Sequence, residues 1–342
     1  MNEILRKFDT SDVDLNGKSI LITGGTGSFG RHLMKVLLER WTPSRVIIFS
    51  RDESKQSDMA LDYPVAQHQN LRYFIGDVRD YDRLEMAMRN VDIVVHAAAL
   101  KQVPAAEYNP FECIRTNVNG AENVVRAAIV NNVEHVIALS TDKAANPVNL
   151  YGASKLASDK IFVAGNNLSG RDGTRFSVVR YGNVIGSRGS VVPLFRRLIA
   201  SGVTSLPITD DRMTRFWITL DQGVDFVLSS LAIMQGGEVF VPRIPSMRIV
   251  DLATAMAPDL EVEIVGIRPG EKLHEVMVTE DDARSTVMLE DRYVIEPAIQ
   301  FWDEVRNKDE ARAAVPADFR YASDTNDEWI DVDAFRDLLK II

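Results

Sequence analysis

The sequence predicts an α/β fold in which a doubly wound parallel sheet is followed by a smaller C-terminal lobe. In the first half of the chain, short β-branched runs alternate with longer segments of helical apolar spacing. A glycine-rich loop follows the first of these runs, and prolines divide the second half into short elements. Repeated strand–helix–strand units form parallel sheets with right-handed crossovers, and 342 residues suffice for about two domains.

Six strands are predicted, each a short apolar run of the kind that is buried on both faces of a parallel sheet. They span 19–23, 45–49, 71–75, 91–95, 135–139 and 176–180. Helices are predicted between them because apolar residues recur there every three or four positions. These helices span 31–40, 81–88, 110–131 and 150–164, and another is expected near 221–234.

These elements divide the sequence into a sheet domain and a lobe. Residues 17–181 form the sheet domain, to which the chain returns at about 215–241. Residues 182–214 and 242–300 form the lobe. Residues 1–16 are an N-terminal extension, and 301–342 form a tail that packs on the core or on a neighbouring subunit.

The composition excludes several classes of protein. Lysine and arginine number 39 against 49 aspartate and glutamate, and this acidic balance argues against nucleic-acid binding, which needs cationic side chains. No apolar run is as long as a membrane span, so no membrane association is expected. The single cysteine, Cys113, excludes an intrachain disulfide, and we expect a cytoplasmic protein. The five histidines lack metal-ligand spacing, so no metal is expected.

A glycine-rich loop at 23–30 joins the first predicted strand to the first helix. Gly24 permits a tight turn, Gly27 a close backbone approach to a pyrophosphate, and Gly30 close packing of helix on strand. A glycine loop in this place predicts a dinucleotide-binding site. The cofactor contacts expected here are Gly24, Thr26, Gly27, Ser28, Phe29 and Gly30.

The end of the second strand, Ser50-Arg51-Asp52, bears on which dinucleotide binds. A carboxylate at this position takes the ribose hydroxyls of NAD, whereas an arginine favours the 2′-phosphate of NADP. Both types are present, and Arg51 with Ser50 and Lys55 beside it favours NADP, while NAD stays open. Further cofactor contacts are expected after the third and fourth strands, at Asp77, Val78, Ala97, Ala98, Ala99 and Lys101.

A catalytic site is predicted after the fifth strand, where Thr141-Asp142-Lys143 precedes Tyr151 and Lys155. Tyr151 and Lys155 are four residues apart and therefore share one face of a helix. A lysine ammonium beside a phenol favours the phenolate, so we expect Lys155 to lower the pKa of Tyr151 toward that of a useful general base. Lys155 can also hold the nicotinamide ribose. Tyr151 and Lys155 are therefore both expected to contact the cofactor.

Longer strings show a resemblance to one family. The glycine loop and the Tyr151/Lys155 pair resemble the extended short-chain dehydrogenase/reductases, Rossmann-fold enzymes that act on nucleotide sugars. A narrower match is to the inverting UDP-N-acetylglucosamine 4,6-dehydratases that open the pseudaminic acid pathway. It is carried by SRDE, AALKQVPAAEYNP, STDKAANPVNLYGASK, RYGNVIGSRGSVVPLF, MTRFWI and IRPGEKLHE. Lys143 is the discriminating residue, because retaining dehydratases of this kind carry a glutamate there.

The resemblance implies a role for each catalytic residue. Tyr151 takes the proton of the sugar 4-hydroxyl, which Thr141 holds, while C4 is oxidised by NADP. Lys143 takes the C5 proton and must be neutral, through a pKa depressed by burial and by Lys155 or the cofactor ring. Asp142, protonated through burial, expels the 6-hydroxyl as water. The NADP stays tightly bound and is regenerated in every cycle.

The resemblance also implies how the two parts of the chain share the ligands. The sheet domain is then the NADP-binding Rossmann domain, and the lobe binds the UDP-sugar. The residues implied in substrate binding are Lys101, Asn183, Arg188, Ser190, Arg243, Arg268 and Glu271. A homo-oligomer, hexamer or dimer, is implied as well.

Three other functions stay open on the sequence alone. A UDP-sugar 4-epimerase uses the same glycine loop and Tyr/Lys pair, but it needs no acid–base pair for water elimination, so Asp142-Lys143 speaks against it. A retaining dehydratase, or one of another UDP-N-acetylhexosamine branch, would differ at Lys143 or Tyr151. A non-enzymatic NADP-binding sensor would normally have lost the Tyr151/Lys155 pair that this chain keeps.

Overall fold

A computed structural model describes residues 5–187, 189–299 and 312–341. Its strands are β1 (Ser19–Thr23), β2 (Arg45–Ser50), β3 (Leu71–Ile75), β4 (Ile93–His96), β5 (His135–Thr141), β6 (Arg175–Tyr181), β7 (Asn183–Val184), β8 (Ser205–Ile208), β9 (Thr214–Ile218), β10 (Val239–Pro242), β11 (Ser246–Arg248), β12 (Glu261–Ile264), β13 (Val276–Val278), β14 (Thr286–Met288), β15 (Arg292–Ile295), β16 (Ala313–Ala314) and β17 (Tyr321–Ala322). Its α-helices are α1 (Ser28–Arg40), α2 (Glu53–Asp62), α3 (Tyr81–Ala87), α4 (Val103–Tyr108), α5 (Pro110–Ile114), α6 (Gly120–Val130), α7 (Leu150–Ser169), α8 (Val191–Ala200), α9 (Leu220–Ile233), α10 (Ile249–Met256), α11 (Glu280–Ala283) and α12 (Val332–Ile341).

The largest sheet has the strand order β16-β14-β15-β10-β6-β5-β4-β1-β2-β3. Neighbours from β10 to β3 pair in parallel, whereas β15, β14 and β16 add to the β10 edge in antiparallel fashion. Every residue of β1 and β4 is buried, as expected for a parallel sheet covered on both faces. The predicted doubly wound α/β fold is confirmed.

The six predicted strands are confirmed as β1 to β6, with ends that differ by at most two residues. The single helix predicted over 110–131 is wrong in one respect, because a π-helical turn at Arg115–Asn119 separates α5 from α6. Helix α2 was not predicted, since its sequence has little apolar periodicity and only Gln56 and Met59 of it are buried. The side chain of Asp52 caps its first turn instead.

The lobe has its own small sheets and its own core. β11, β9 and β7 form one sheet, and β12 with β8 and β13 with β17 form two more. A second apolar cluster fills the lobe, centred on fully buried Phe195, Trp217 and Phe335. Because Phe335 lies on α12, the C-terminal helix packs on the lobe of its own chain.

Two predicted boundaries differ from the structure. β14 and β15, at 286–295, join the main sheet although 242–300 was assigned to the lobe. They do so because the edge of β10 offers unpaired backbone groups that β15 satisfies. The extension before residue 17 is also part of the main core, in which Phe8, Val13 and Leu15 are buried. Residue 300 of the predicted lobe and residues 301–311 and 342 of the predicted tail lie outside the described residues.

Parallel pairing places the functional loops together. The carboxyl ends of β1, β4, β5 and β6 lie at one edge of the sheet, where ligands bind in open α/β folds. The loops that leave this edge carry the glycine-rich segment, the three alanines at 97–99 and the Thr141-Asp142-Lys143 string. Within the described residues, no helix has the length and apolar character that crossing a bilayer requires.

Candidate active site

A cavity of about 810 Å³ lies between this edge of the sheet and the lobe. The predicted cofactor residues that line it are Gly24, Thr26, Gly27, Ser28, Phe29, Gly30, Ser50, Arg51, Asp77, Val78, Ala97, Ala98, Ala99, Lys101, Tyr151 and Lys155. Thr141 and Lys143 line it as well, and so do Asn183, Ser190, Arg268 and Glu271 of the predicted substrate set. One cavity therefore brings together the glycine loop, the catalytic string and the lobe.

The glycine loop has the geometry of a dinucleotide cradle. Gly24 has a φ of +65°, and a Cβ there would lie 2.8 Å from the Ala98 backbone nitrogen, so the loop tolerates only glycine. A Cβ on Gly30 would lie 2.5 Å from the Gly25 Cα, which explains the close packing of α1. Gly27 is the N-cap residue of α1 and has no side chain that could accept hydrogen bonds from the first-turn N–H groups. These N–H groups are therefore available to a phosphate in the cavity that residues 27–30 line. The residues present therefore fit a nicotinamide dinucleotide.

The adenosine end of the cradle differs from the prediction at Asp52. Its carboxylate accepts a hydrogen bond from the Lys55 N–H at 3.0 Å and pairs with the Lys55 ammonium, and Asp52 does not line the cavity. The Arg51 guanidinium lines the cavity instead, with 54% of its side chain exposed, and lies 3.7 Å from Asp77 Oδ2. Thr26 and Ser50 are joined through their hydroxyls at 2.8 Å.

Tyr151 and Lys155 project from the first turns of α7 and are both buried. Burial raises the pKa of Tyr151 to about 12, and the nearby cation that opposes this rise is Lys143. The expectation that Lys155 lowers this pKa is therefore wrong. Burial lowers the pKa of Lys155, while the buried carboxylate of Asp159 opposes that fall.

Asp142 and Lys143 form an acid–base pair on the turn after β5, in which Lys143 lines the cavity and Asp142 lies buried behind it. Asp142 is fully buried, and its Oδ1 accepts hydrogen bonds from Thr141 Oγ1 at 2.9 Å and from Lys143 Nζ at 3.0 Å. Burial raises the pKa of Asp142, as the protonated role requires, and Glu275 adds to the rise while Lys143 opposes it. The Asn183 side-chain oxygen accepts a longer bond from Lys143 Nζ at 3.4 Å.

Lys143 has a second carboxylate partner that the sequence did not reveal. Its Nζ lies 3.1 Å from Glu275 Oε1. Burial disfavours the ammonium, but Asp142 and Glu275 outweigh it and raise the pKa of Lys143. The expected depression of the Lys143 pKa is therefore wrong, because the two carboxyl groups beside Lys143 raise it. Glu275 is the last residue of the IRPGEKLHE string, in which the sequence predicts a functional role only for Arg268 and Glu271, as substrate contacts.

Comparison with known proteins identifies the family. A family model described as polysaccharide biosynthesis protein matches residues 20–297. The chain belongs to this family. A member of similar sequence, from Campylobacter jejuni strain 81-176, is 57% identical over 332 residues, which are 96% of this chain and 98% of that protein. It is named UDP-N-acetylglucosamine 4,6-dehydratase (inverting). A Rickettsia bellii relative named UDP-glucose 4-epimerase is 44% identical over 276 residues, 78% of this chain and 79% of that protein.

Solved structures of the same architecture place the chain among Rossmann-type extended short-chain dehydrogenase/reductases. Pen from Bacillus thuringiensis has a TM-score of 0.86 and 35% identity, with 96% of this chain and 98% of that one covered. A dTDP-glucose 4,6-dehydratase double mutant from Streptomyces venezuelae, with NAD bound, has a TM-score of 0.66 and 25% identity. That alignment covers 74% of this chain and 86% of the other.

One predicted substrate residue among the described ones, Arg243, does not line the cavity. Arg243 donates to the Glu290 carbonyl at 3.1 Å, and its guanidinium lies 3.6 Å from Glu328, so the C-terminal segment holds it away from the cavity. Its assignment to substrate binding stays a prediction that this geometry does not support. Arg188 lies outside the described residues. Lining residues that were not predicted include Gln102, Asn149, Thr209, Met213 and Arg215. No group of three or more potential metal ligands occurs in the described residues.

Gly152 fixes the catalytic turn against α7, and we expect Gly152→Ala to displace it. A Cβ there would overlap the Lys143 carbonyl oxygen and lie 3.1 Å from Pro147 Cβ. Overpacking of this kind costs about 1–3 kcal/mol of unfolding free energy, and a misplaced catalytic group costs about 10²-fold in rate. Thermal denaturation and product formation measure the two effects.

The matched control for this prediction is Gly223→Ala in α9, where a Cβ has no neighbour within 4 Å. It should leave turnover unchanged and raise the unfolding free energy by up to about 1 kcal/mol, the difference in helix propensity between glycine and alanine. If Gly152→Ala matched Gly223→Ala in both measurements, the close approach of α7 to the catalytic turn would have no consequence for activity.

Proposed function

We propose that the chain is a UDP-N-acetylglucosamine 4,6-dehydratase, a hydro-lyase that inverts C5 and releases UDP-2-acetamido-2,6-dideoxy-β-L-arabino-hexos-4-ulose. The observation that carries the proposal is the pairing of fully buried Asp142 with Lys143, which lines the same cavity as Tyr151. Elimination of water across C5 and C6 needs a base and an acid, which this pair supplies. The name of the Campylobacter jejuni relative supports the same reaction and substrate.

We propose NADP as the resident cofactor, held by the glycine loop, Arg51 and Lys155. When bound, it accepts the hydrogen of C4 as hydride and returns it to C6. The chain's own residues then handle the protons. Tyr151 accepts the proton of the 4-hydroxyl, Lys143 that of C5, and Asp142 donates one to the departing 6-hydroxyl.

The hydrogen bond between Asp142 and Lys143 prepares both groups for these roles. Transfer of one proton from Lys143 Nζ to Asp142 Oδ1, which are 3.0 Å apart, turns an ion pair into a neutral amine and a neutral acid. The pair keeps its total charge, so the transfer needs no proton from solvent. Burial favours the neutral form of each group, and closing the cavity with ligands strengthens that preference. One transfer therefore creates the base and the acid together.

Arg51 provides a test of cofactor choice. A charge-assisted hydrogen bond to the 2′-phosphate is worth about 1.5–3 kcal/mol, or about 10- to 150-fold in affinity. We expect Arg51→Ala to weaken NADP binding by that factor and to leave NAD binding nearly unchanged, as measured by titration calorimetry with each cofactor. Equal losses for both cofactors would show that Arg51 does not contact the 2′-phosphate.

One incubation tests the reaction itself. Purified chain, supplied with NADP and UDP-N-acetylglucosamine, should release a 4-keto-6-deoxy sugar whose C5 configuration is inverted by NMR. Formation of UDP-N-acetylgalactosamine would indicate the second candidate function, a UDP-sugar 4-epimerase, which the name of the Rickettsia bellii relative favours. A product with retained C5 would indicate a retaining dehydratase.

We further propose a cytoplasmic homo-oligomer, a dimer or hexamer, whose product feeds pseudaminic acid biosynthesis and protein glycosylation. The single, buried cysteine supports a reducing compartment. The supply of a 4-keto-6-deoxy amino sugar nucleotide is the step that such a pathway needs first. Sedimentation of the purified chain distinguishes a dimer from a hexamer.

A further inference from the structure

Glu275 is a buried acid of the cavity to which the reaction above gives no role. It precedes β13, is 1% exposed, and places Oε1 3.1 Å from Lys143 Nζ. Two other cations face the same carboxylate, since Arg215 Nε lies 3.8 Å from Oε1 and Lys272 Nζ lies 3.5 Å from Oε2. Lys143 therefore lies between two carboxyl groups, and only that of Asp142 has a role so far.

We propose that Glu275 is a positioning residue for Lys143, whose carboxylate orients the amine and stabilises the ammonium formed when Lys143 takes the C5 proton. This inference rests on the proposed function. In that step the C5–H bond breaks, the proton moves to Nζ, and the electron pair of the bond is delocalised onto the 4-keto oxygen. Positive charge thus develops on Nζ next to Glu275 Oε1, and Asp142 becomes a carboxylate only as it gives its proton to the leaving hydroxyl.

The surroundings of Glu275 keep its carboxylate charged before that step. Burial alone would favour the protonated acid, but Lys143, Arg215 and Lys272 outweigh it and lower the pKa of Glu275. Arg215 and Lys272 also face this carboxylate, so part of the stabilisation of its negative charge remains when Lys143 is neutral. The stabilising field is therefore present before the proton arrives, which is how preorganised electrostatics lower a barrier.

Contacts between the lobe and the catalytic turn hold Glu275 in place. Lys272 Nζ donates to the Ala145 carbonyl at 2.6 Å, which ties the 272–275 segment to the turn after β5. The Glu275 backbone N–H donates to Ser323 Oγ at 2.9 Å, and Arg215 reaches the segment from β9, donating to the Lys272 carbonyl at 2.9 Å. The segment that carries Glu275 is thus held by the catalytic turn, by Ser323 and by Arg215 of β9.

The pH dependence of turnover distinguishes an electrostatic role of Glu275 from a purely structural one. Only loss of its charge shifts the pH values at which the Asp142–Lys143 pair gains or loses a proton. The active form of the Asp142–Lys143 pair holds one proton, so a second proton removes the base and the loss of the first removes the acid, which gives a bell-shaped profile. The charged or titratable groups that face this pair are Tyr151, Arg215, Lys272 and Glu275. Removing the negative charge of Glu275 weakens proton binding by the pair, so both limbs should move to lower pH.

The experiment compares product formation from UDP-N-acetylglucosamine across pH for wild type, Glu275→Gln and Glu275→Asp. We expect Glu275→Gln to move both limbs down by about 1 to 3 pH units, the shift that an opposite charge at this range produces. Glu275→Asp keeps the charge but withdraws it by one methylene, so its limbs should lie between the other two. Turnover should fall in the same order, by less than when Lys143 itself is removed.

Glu261→Gln removes an exposed carboxylate on β12 of the same lobe and should leave both limbs where wild type has them. Slower turnover with unmoved limbs in Glu275→Gln would overturn the inference, and so would unmoved limbs in Glu275→Asp if the glutamine variant failed to fold. If wild type formed no 4-keto-6-deoxy product at any pH, the proposed function itself would fail.

Discussion

Tyr151→Phe should abolish oxidation at C4 while leaving the fold and cofactor binding intact. The ring of Tyr151 packs with buried Ala106 and Cys113, contacts that phenylalanine retains. Only the hydroxyl is lost, whose pKa Thr141 helps to lower. Loss of a general base costs about 10²- to 10⁴-fold. Exchange of the sugar C5 proton with deuterated solvent measures the effect, because that proton becomes acidic only after C4 is a ketone.

The raised pKa of Tyr151 makes this variant informative. With a pKa of about 12, the phenol is protonated at neutral pH, so it acts as a base only when added positive charge or a hydrogen-bonding hydroxyl lies beside it. Tyr108→Phe is the matched control, because Tyr108 is 88% exposed and outside the cavity. C5 exchange at the wild-type rate in Tyr151→Phe would remove Tyr151 from the first step.

The sheet could be predicted from the sequence because buried parallel strands are continuous apolar runs. The helix over 110–131 could not be predicted correctly, because the π-helical turn serves a polar contact. Asn117 in this turn exchanges hydrogen bonds with the Leu100 backbone at 2.8 and 2.9 Å and donates to Ser154 Oγ at 2.9 Å. Apolar spacing carries no information about such a buried amide, which links the loop after β4 to α7.

The candidate site was predictable where its residues lie close in sequence and not where they meet through the fold. Thr141, Asp142 and Lys143 are adjacent at a strand end, where parallel topology places catalytic groups. Glu275 reaches Lys143 from 132 positions further along the chain (275 − 143), which no local pattern reveals. Arg243 shows the converse case. The sequence suggested a contact with a diphosphate, but the structure places its guanidinium beside Glu328 of the C-terminal segment.

The pKa expectations for Tyr151 and Lys143 failed for the same reason, whereas the expected rise at Asp142 agrees with the structure. Sequence spacing places Lys155 beside Tyr151, but it does not reveal how deeply both are buried or that Lys143 is the cation that opposes the rise at Tyr151. Asp142 and Glu275 together raise the pKa of Lys143, and Glu275 is not its neighbour in sequence. We therefore propose that the neutral amine arises by proton transfer to Asp142 rather than by a low intrinsic pKa.

Lys143→Ala should let the reaction begin and then stop it. Oxidation at C4 precedes the need for a base at C5, and the substitution keeps Tyr151, Lys155 and the glycine loop. Loss of the Lys143 charge raises the pKa of Tyr151 further, which slows this first step but does not remove its base. We therefore expect reduced nicotinamide to accumulate in a rapid-mixing experiment, seen by its absorbance, without release of the 4-keto-6-deoxy product. Turnover should fall by at least about 10²- to 10⁴-fold, the usual contribution of a general base.

The controls for Lys143→Ala separate the base from its surroundings. Lys160→Ala removes an exposed lysine of α7 and should turn over like wild type. Lys143→Glu restores a base of the kind that retaining enzymes use, but it brings a third carboxyl group beside Asp142 and Glu275 and supplies no proton donor on the opposite face of C5. We expect it to remain inactive rather than to switch the product. Turnover of Lys143→Ala near the wild-type rate with C5 still inverted would show that Lys143 is only a structural neighbour of Asp142. The base at C5 would then be another side chain of the cavity.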